Sequence, residues 1–425
     1  MRFFYNFLAS LFVLCALPVF FWRLMKEPGF GERLKQWFGF LPAESLESVA
    51  KQQCLWLHAA SVGEIVAASP IVKEMRAAFP TRKILISTVT VTGHEMAKKI
   101  LPDADSIIFF PFDLPWLIES VVRRIEPALF VLVETELWPN FLQAMEKRKI
   151  PVLMVNGRIS DKSIKRYHYL FSLLREMMQS VSLFCMQSSQ DASRIITMGA
   201  LPEKVVVTGN TKFDQTYTVV TPLEKKHLLA NLGYSEENDF LFIAGSTHEG
   251  EEDQIFAAYL LARQSVPALK LMIAPRDIRR SAEVIKIAEG YSLFPIRRTE
   301  LPDKTGDVVL LDTIGELGRL YSLGNIIFVG GSLIQRGGHN ILEPAAHGKP
   351  ILVGPHMFNF KESYALLQGR GACMTVHDSK ELAEKIVLLV QDREAAKNMG
   401  RSAAEIMREN SGAARKSVEY MRRYV

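Results

Sequence analysis

Residues 325–344 read NIIFVGGSLIQRGGHNILEP. Ile326 to Val329 are apolar at every position, which is the pattern of a strand covered on both faces in a parallel sheet. Gly330 and Gly331 end that run, a second glycine pair follows at Gly337 and Gly338, and a helix is expected to open near Asn340. Working outward, the same form recurs. FLFIAGS, LKLMIAP, YSLFPI and DVVLLD precede it, PILVGP and ACMTVH follow it, and helical patterns separate them. An earlier series runs CLWLHA, KILISTV, SIIFFPF, ALFVLVE, IPVLMVN, SLFCMQ and KVVVTGN. Two successive doubly wound α/β domains are therefore expected. The polar stretch around 214–239 divides them, giving domains at 25–215 and 239–425, a junction at 216–238, and closing helices counted with the second domain.

Length and composition agree with that division. The 425 residues are 48% apolar and 23% charged, too apolar for a disordered chain and long enough for two cores. The net charge of +5 lies wholly in the first half: 25 basic minus 20 acidic residues through Asp214, against 26 minus 26 beyond it. Such a surplus is too small for a dedicated duplex-DNA binder and suits work beside anionic lipid. Cys15, Cys54, Cys185 and Cys373 are scattered without metal-ligand spacing, and are expected to be reduced and buried.

Ahead of the first strand, Phe3 to Trp22 is uncharged, flanked by Arg2 on one side and by Arg23, Lys26, Arg33 and Lys35 on the other. That is long enough to cross a bilayer as a helix, so 1–24 is expected to be a membrane anchor with the remainder on the cytoplasmic side. Asn6 and Pro18 weaken a spanning helix and leave a shallower insertion open.

Ligands of open α/β sheets bind at the carboxyl ends of strands, so those positions are the candidates. Glu64, after the first run, is either a general base or the carboxylate that complements a helix amino end. Glu134 and Glu136 stand at i and i+2; on an extended segment only one would face a cleft, and Glu134 is preferred. Lys212 is placed to meet an anionic ligand, or is a solvated loop lysine. Arg276, beside Pro275, suits a phosphate or carboxylate clamp. The glycines at 330–331 and 337–338 would let backbone amides approach a phosphate, and Glu343 could accept both hydroxyls of a ribose. No GxGxxG and no GxxxxGK[ST] occurs at a strand-to-helix turn.

LWLHAASVGE, VETELWPN, VTGNTKFD, AGSTHEGEE, APRD, TIGEL and GGHNILEPAAHGKPILVGP together resemble the 3-deoxy-D-manno-octulosonic acid (Kdo) transferases, lipid A glycosyltransferases of Gram-negative bacteria. The resemblance implies a GT-B architecture of two Rossmann-like domains, the acceptor on the first and the sugar nucleotide mainly on the second. It implies inverting transfer of Kdo from CMP-Kdo to the 6'-hydroxyl of tetraacyl lipid A precursor at the inner membrane, without metal or cofactor and with no nucleic-acid partner. On matching positions, Glu64 would be the general base, while Glu134 and Lys212 would stabilise the transition state. CMP would meet Pro275, Arg276, Ile314, Gly315, Glu316, Asn340, Ile341, Leu342 and Glu343. His58, His248 and His339 lie within the motifs and are left outside the catalytic set. The basic cluster Lys147, Arg148, Lys149, Arg158, Lys162, Lys165 and Arg166 would receive the anionic acceptor. Two other readings stay open: an envelope GT-B transferase using a different nucleotide sugar, and a non-catalytic nucleotide-binding regulator.

Overall fold

A computed structural model describes residues 2–27, 29–159, 171–215 and 220–425. The chain forms two compact units, one of residues 1–215 with 410–425 and the other of 216–409.

The first unit is built on seven parallel strands: β1 Leu55–His58, β2 Ile84–Thr88, β3 Ser106–Phe109, β4 Leu129–Val133, β5 Val152–Gly157, β6 Leu183–Met186 and β7 Val205–Val207. Their order is β3-β2-β1-β4-β5-β6-β7. Successive residues supply opposite faces of this sheet. Leu55, Leu57, Ile84, Ile86, Leu129 and Val131 pack on one side, with the helix Val62–Ala78. Trp56, Leu85, Phe130, Leu132 and Met154 pack on the other, with the helices Pro115–Ile125 and Pro139–Lys147. Burial on both faces accounts for the unbroken apolar runs.

The second unit repeats the plan with β8 Phe240–Thr247, β9 Leu269–Pro275, β10 Ile296–Arg297, β11 Val308–Leu310, β12 Ile326–Val329, β13 Ile351–Val353 and β14 Cys373–Thr375. The order is β10-β11-β9-β8-β12-β13-β14, again all parallel. The chain passes to the other side of the first-laid strand between β1 and β4 in one sheet and between β8 and β12 in the other, where β11 is also inserted between β9 and β10. Those are the crevices where doubly wound sheets bind ligands.

Three segments depart from the sequence expectation. The helix Ala413–Met421 packs on the first unit, where Ala414, Val418 and Met421 join the core beneath the helix Val62–Ala78. Asp214 fixes it by accepting from the backbone N–H groups of Gly412 and Ala414. The expected junction holds a helix, Pro222–Asn231, capped by the Thr221 hydroxyl and tied to the second unit by Glu224 with Arg319. Finally, Cys15 is exposed, whereas Cys54, Cys185 and Cys373 are buried, and burial pushes those three thiols up to about 12.

The amino-terminal helix runs Arg2–Lys26 and is long and apolar enough to cross a membrane. One stripe of it lies against the first unit: Tyr5 donates to Asp113 at 2.9 Å, Val13 is buried, and the Phe20 ring lies 6.0 Å from those of Trp37 and Phe112. Asn6, a blemish in an apolar run, accepts from the Asn140 side chain at 2.8 Å. Phe3, Phe7, Leu14 and Phe21 remain exposed on the other faces.

Candidate functional site

In the first unit the candidate groups gather at the β1/β4 reversal. Ser61 stands at the amino end of the helix Val62–Ala78 without a side-chain capping bond, and Glu64 is the helix's third residue. The Glu64 carboxylate turns back to accept from the Ala60 N–H and, at 3.2 Å, from the Ser61 hydroxyl. Burial, with smaller contributions from Glu134 and Glu136, nevertheless raises its pKa from 4.5 to about 7. A helix-capping carboxylate and a base poised near neutrality are thus the same group.

Glu134 follows β4 with a left-handed φ of 62°, in a turn. The segment is therefore not extended, and the expectation that Glu134 and Glu136 point apart fails, because the charge of each bears on Glu64. Burial and Glu134 also raise Glu136. A non-glycine residue held at positive φ stores strain of about 1–3 kcal/mol, which neighbouring structure must sustain.

Lys212 lies in a short 3₁₀ turn, Thr211–Asp214, whose position is set from three sides. Asn156, also at positive φ in a bulge of β5, accepts from the Thr211 N–H at 3.0 Å. The Thr211 hydroxyl donates to the Ala67 carbonyl on the helix of Glu64. Asn210 accepts from the Lys212 N–H and bonds Gln187, which in turn holds the Asn156 carbonyl. The Lys212 turn and the Glu64 helix are thus parts of one bonded frame.

His58 has a packing role. It is fully buried, its Nδ1 is 2.9 Å from the Ser87 hydroxyl, its ring sits 4.2 Å from that of Phe110, and burial lowers its pKa to about 3. The basic cluster is divided by β5, with Lys147 and Lys149 before it and Arg158 after it, at the ligand-binding edge. Arg148 pairs with Glu119 at 2.6 Å. Lys162, Lys165 and Arg166 lie outside the described residues.

In the second unit, β8 ends in a bulge at Ser246, whose φ is 58°. Gly330 must be glycine here, since a Cβ would stand 2.4 Å from the Ser246 carbonyl oxygen. The backbone amides expected to approach a phosphate are already occupied from within: Gly330 donates to the Gly245 carbonyl, and the next three residues turn to a carboxylate. Glu251, fully buried, accepts from the N–H groups of Gly331 at 2.7 Å, Ser332 at 3.0 Å, Leu333 at 3.0 Å and His248 at 3.1 Å. Sequence reasoning passed over Glu251. Its signal was the unusual pair of carboxylates, Glu251 and Glu252, at the start of a helix directly after β8.

Several CMP candidates converge beside this turn. Arg276 follows Pro275 at the end of β9, exposed, with its N–H on the Thr247 carbonyl. Its charge bears on both His339 and Glu343, and burial is the main cause of the raised pKa of Glu343. The Asn340 side chain donates to Glu343 at 3.0 Å, and its oxygen accepts from the Leu342 N–H at the start of the short helix Leu342–Ala346. Glu343 also borders Gly318, where a Cβ would stand 3.4 Å from its Oε2, so it adjoins the turn of Ile314, Gly315 and Glu316. Ile341 and Leu342 point into the core, and only their main chain is left for a ligand. His248 and His339 face each other, Nε2 to Nε2 at 2.7 Å with stacked rings. Burial lowers both, His339 to about 4. Among the described residues no group of three or more His, Cys, Asp or Glu is arranged to hold a metal ion.

The sequence profile described as "3-Deoxy-D-manno-octulosonic-acid transferase (kdotransferase)" matches residues 32–215. A 3-deoxy-D-manno-octulosonic acid transferase of Haemophilus influenzae is 34% identical over 430 residues, covering 100% of this chain and 99% of its own. One from Bordetella pertussis is 27% identical over 416 residues, covering 94% of each. Among solved structures, a UDP-GlcNAc 2-epimerase from Neisseria meningitidis superposes with a TM-score of 0.56 at 16% identity, over 84% of this chain and 98% of that one, a likeness of fold.

Proposed function

The chain belongs to the 3-deoxy-D-manno-octulosonic acid (Kdo) transferases, a glycosyltransferase family, and on that premise we propose how it acts. It moves Kdo from CMP-Kdo to the 6'-hydroxyl of a tetraacyl lipid A precursor, with inversion and without metal. The observation that carries the reading is Glu64, a half-buried carboxylate at a sheet reversal with a pKa of about 7.

Glu64 takes the proton of the acceptor hydroxyl as its oxygen bonds to the anomeric carbon of Kdo. The bond from that carbon to the CMP phosphate oxygen breaks, and its electron pair leaves with the phosphate. Proton removal by a placed carboxylate contributes about 10²–10⁴ in rate. Lys212 opposes the negative charge of the phosphate and the Kdo carboxylate, and Glu134 supports the positive charge that develops on the sugar ring. In the second unit Arg276 meets the phosphate, Glu343 the ribose hydroxyls, and the Ile314–Glu316 turn the remainder of CMP. Pro275 and the main chain of Asn340, Ile341 and Leu342 complete that wall.

The amino-terminal helix holds the enzyme at the inner membrane with its catalytic units on the cytoplasmic side. Its packed stripe, from Tyr5 to Phe20, favours a helix lying along the first unit over one standing free across the bilayer.

Mass spectrometry of lipid A precursor after incubation with CMP-Kdo tests the reading and counts the sugars added. Product is expected with CMP-Kdo and none with UDP- or ADP-sugars. Glu64→Ala is expected to lose transfer by at least about a hundredfold. Transfer at the parent rate would overturn the base assignment.

A further inference from the structure

Between the amino-terminal helix and the first unit lies a cavity of about 460 Å³, within the usual size range of small-molecule sites. Ala9, Phe12 and Val13 form its helical wall, and Val89, Phe110 and Trp138 stand on the opposite one. Its carboxylate, Asp113, is already satisfied by the Tyr5 hydroxyl and by the N–H groups of Asn140 and Phe141. The wall therefore offers hydrocarbon contact and little else.

We propose that this cavity receives one acyl chain of the acylated acceptor, an inference that rests on the transferase reading above. Two observations choose that occupant. The helix forming the wall exposes Phe3, Phe7, Leu11 and Leu14 on its other faces, so the surroundings of the cavity are a hydrocarbon layer, where the apolar solutes are acyl chains. The opposite wall is made from the carboxyl ends of β2, β3 and β4, on the same edge of the sheet where β1 leads to the candidate base. Val89 follows β2, Phe110 follows β3, and Trp138 comes four residues after Glu134. His58, at the end of β1, rests on Phe110. A chain seated here tethers the sugar headgroup at the edge of the sheet where Glu64 stands. The helix is then part of the acceptor site, and the polar contacts of Tyr5 and Asn6 hold the site closed.

The test uses the full chain in proteoliposomes with a lipid A precursor carrying a diazirine midway along one acyl chain. After irradiation, peptide mass spectrometry is expected to find adducts on residues 110–114 and on Trp138. Ala9→Phe fills the cavity from one wall and Val89→Phe from the other, so one informative variant remains if either fails to fold. A ring that excludes two methylene groups raises the KM for the acylated acceptor about tenfold. The KM for CMP-Kdo and transfer to a deacylated, soluble acceptor are expected to be unchanged. Adducts confined to Phe3, Phe7 and Leu11 would overturn the proposal. So would labelling of the cavity by a diazirine phospholipid that the precursor does not displace, or unchanged acceptor KM in both folded variants. Because the adduct map needs no transfer, an inactive chain with a labelled cavity would sink the transferase reading, whereas an active chain without adducts would sink only this one.

Discussion

Glu136→Gln separates the electrostatic role of the carboxylate cluster from its chemistry. Burial supplies most of the rise of Glu64 from 4.5 to about 7, with Glu134 and then Glu136 adding to it, while the Ala60 N–H and Ser61 hydroxyl work the other way. Removing the smaller of the two carboxylate contributions leaves the burial in place and lowers the Glu64 pKa by about half a pH unit. Glu64 acts as a base only when ionised, so activity rises with pH through this value. At pH 6 the ionised fraction is then expected to grow from about 0.09 to about 0.24, a gain of roughly 2.5-fold in rate, and at pH 8.5 to stay near one in both proteins. The assay is kcat/KM for the acceptor from pH 5 to 9 at saturating CMP-Kdo, expressed as the ratio of variant to parent so that titration of the substrate phosphates cancels. An acid limb that stays in place, or moves to higher pH, would refute the electrostatic account. Loss of activity across the whole range would make Glu136 part of the chemistry.

All five tryptophans, Trp22, Trp37, Trp56, Trp116 and Trp138, belong to the first unit, so their fluorescence follows that unit alone while circular dichroism follows both. Glu251→Ala strips four backbone donors of their buried acceptor and is expected to destabilise the second unit by about 3 kcal/mol or more, shifting the urea transition in dichroism with the fluorescence transition unmoved. Asp214→Ala uncaps the helix Ala413–Met421 and is expected to cost about 1–2 kcal/mol in the fluorescence transition instead. Coincident shifts by both probes would contradict the division into units.

The strands were legible because a parallel sheet covered on both faces leaves continuous apolar runs, and thirteen of the fourteen quoted runs hold all or nearly all of one strand, while YSLFPI only reaches the first residue of β10. The positions of Glu64 and Arg276 were legible for a related reason, since a polar residue directly after such a run, as Arg276 is, or in the first turn of the helix that follows it, as Glu64 is, stands at the ligand-binding edge. Other features were hidden in contacts that sequence spacing does not encode. An amphipathic helix such as Ala413–Met421 announces a buried face but not what buries it, so its return to the first unit was invisible. Glycines at 330 and 331 signal a close approach of backbone. The Gly331 amide serves Glu251 rather than a phosphate, and that depends on a carboxylate eighty residues away, while the Gly330 amide donates to the Gly245 carbonyl. The basic cluster looked continuous because its members are neighbours in sequence; a six-residue strand between them carries Arg158 about 20 Å from Lys149.

The path of the chain through its two units gives the second unit the character of an insertion. Residues 216–409 leave the first unit once and return to it once, so the second unit is encoded by one uninterrupted segment while the first is assembled from residues 1–215 and 410–425. A recombination event with both breakpoints near 215 and 410 would exchange the whole nucleotide-handling unit and leave the core of the other intact. Shortening the chain from its carboxyl end, in contrast, removes Val418 and Met421 from beneath the helix that bears Glu64. Residues 413–421 thereby support the earliest candidate catalytic group in the sequence, and a nonsense codon ahead of them would damage the half of the enzyme that was translated first.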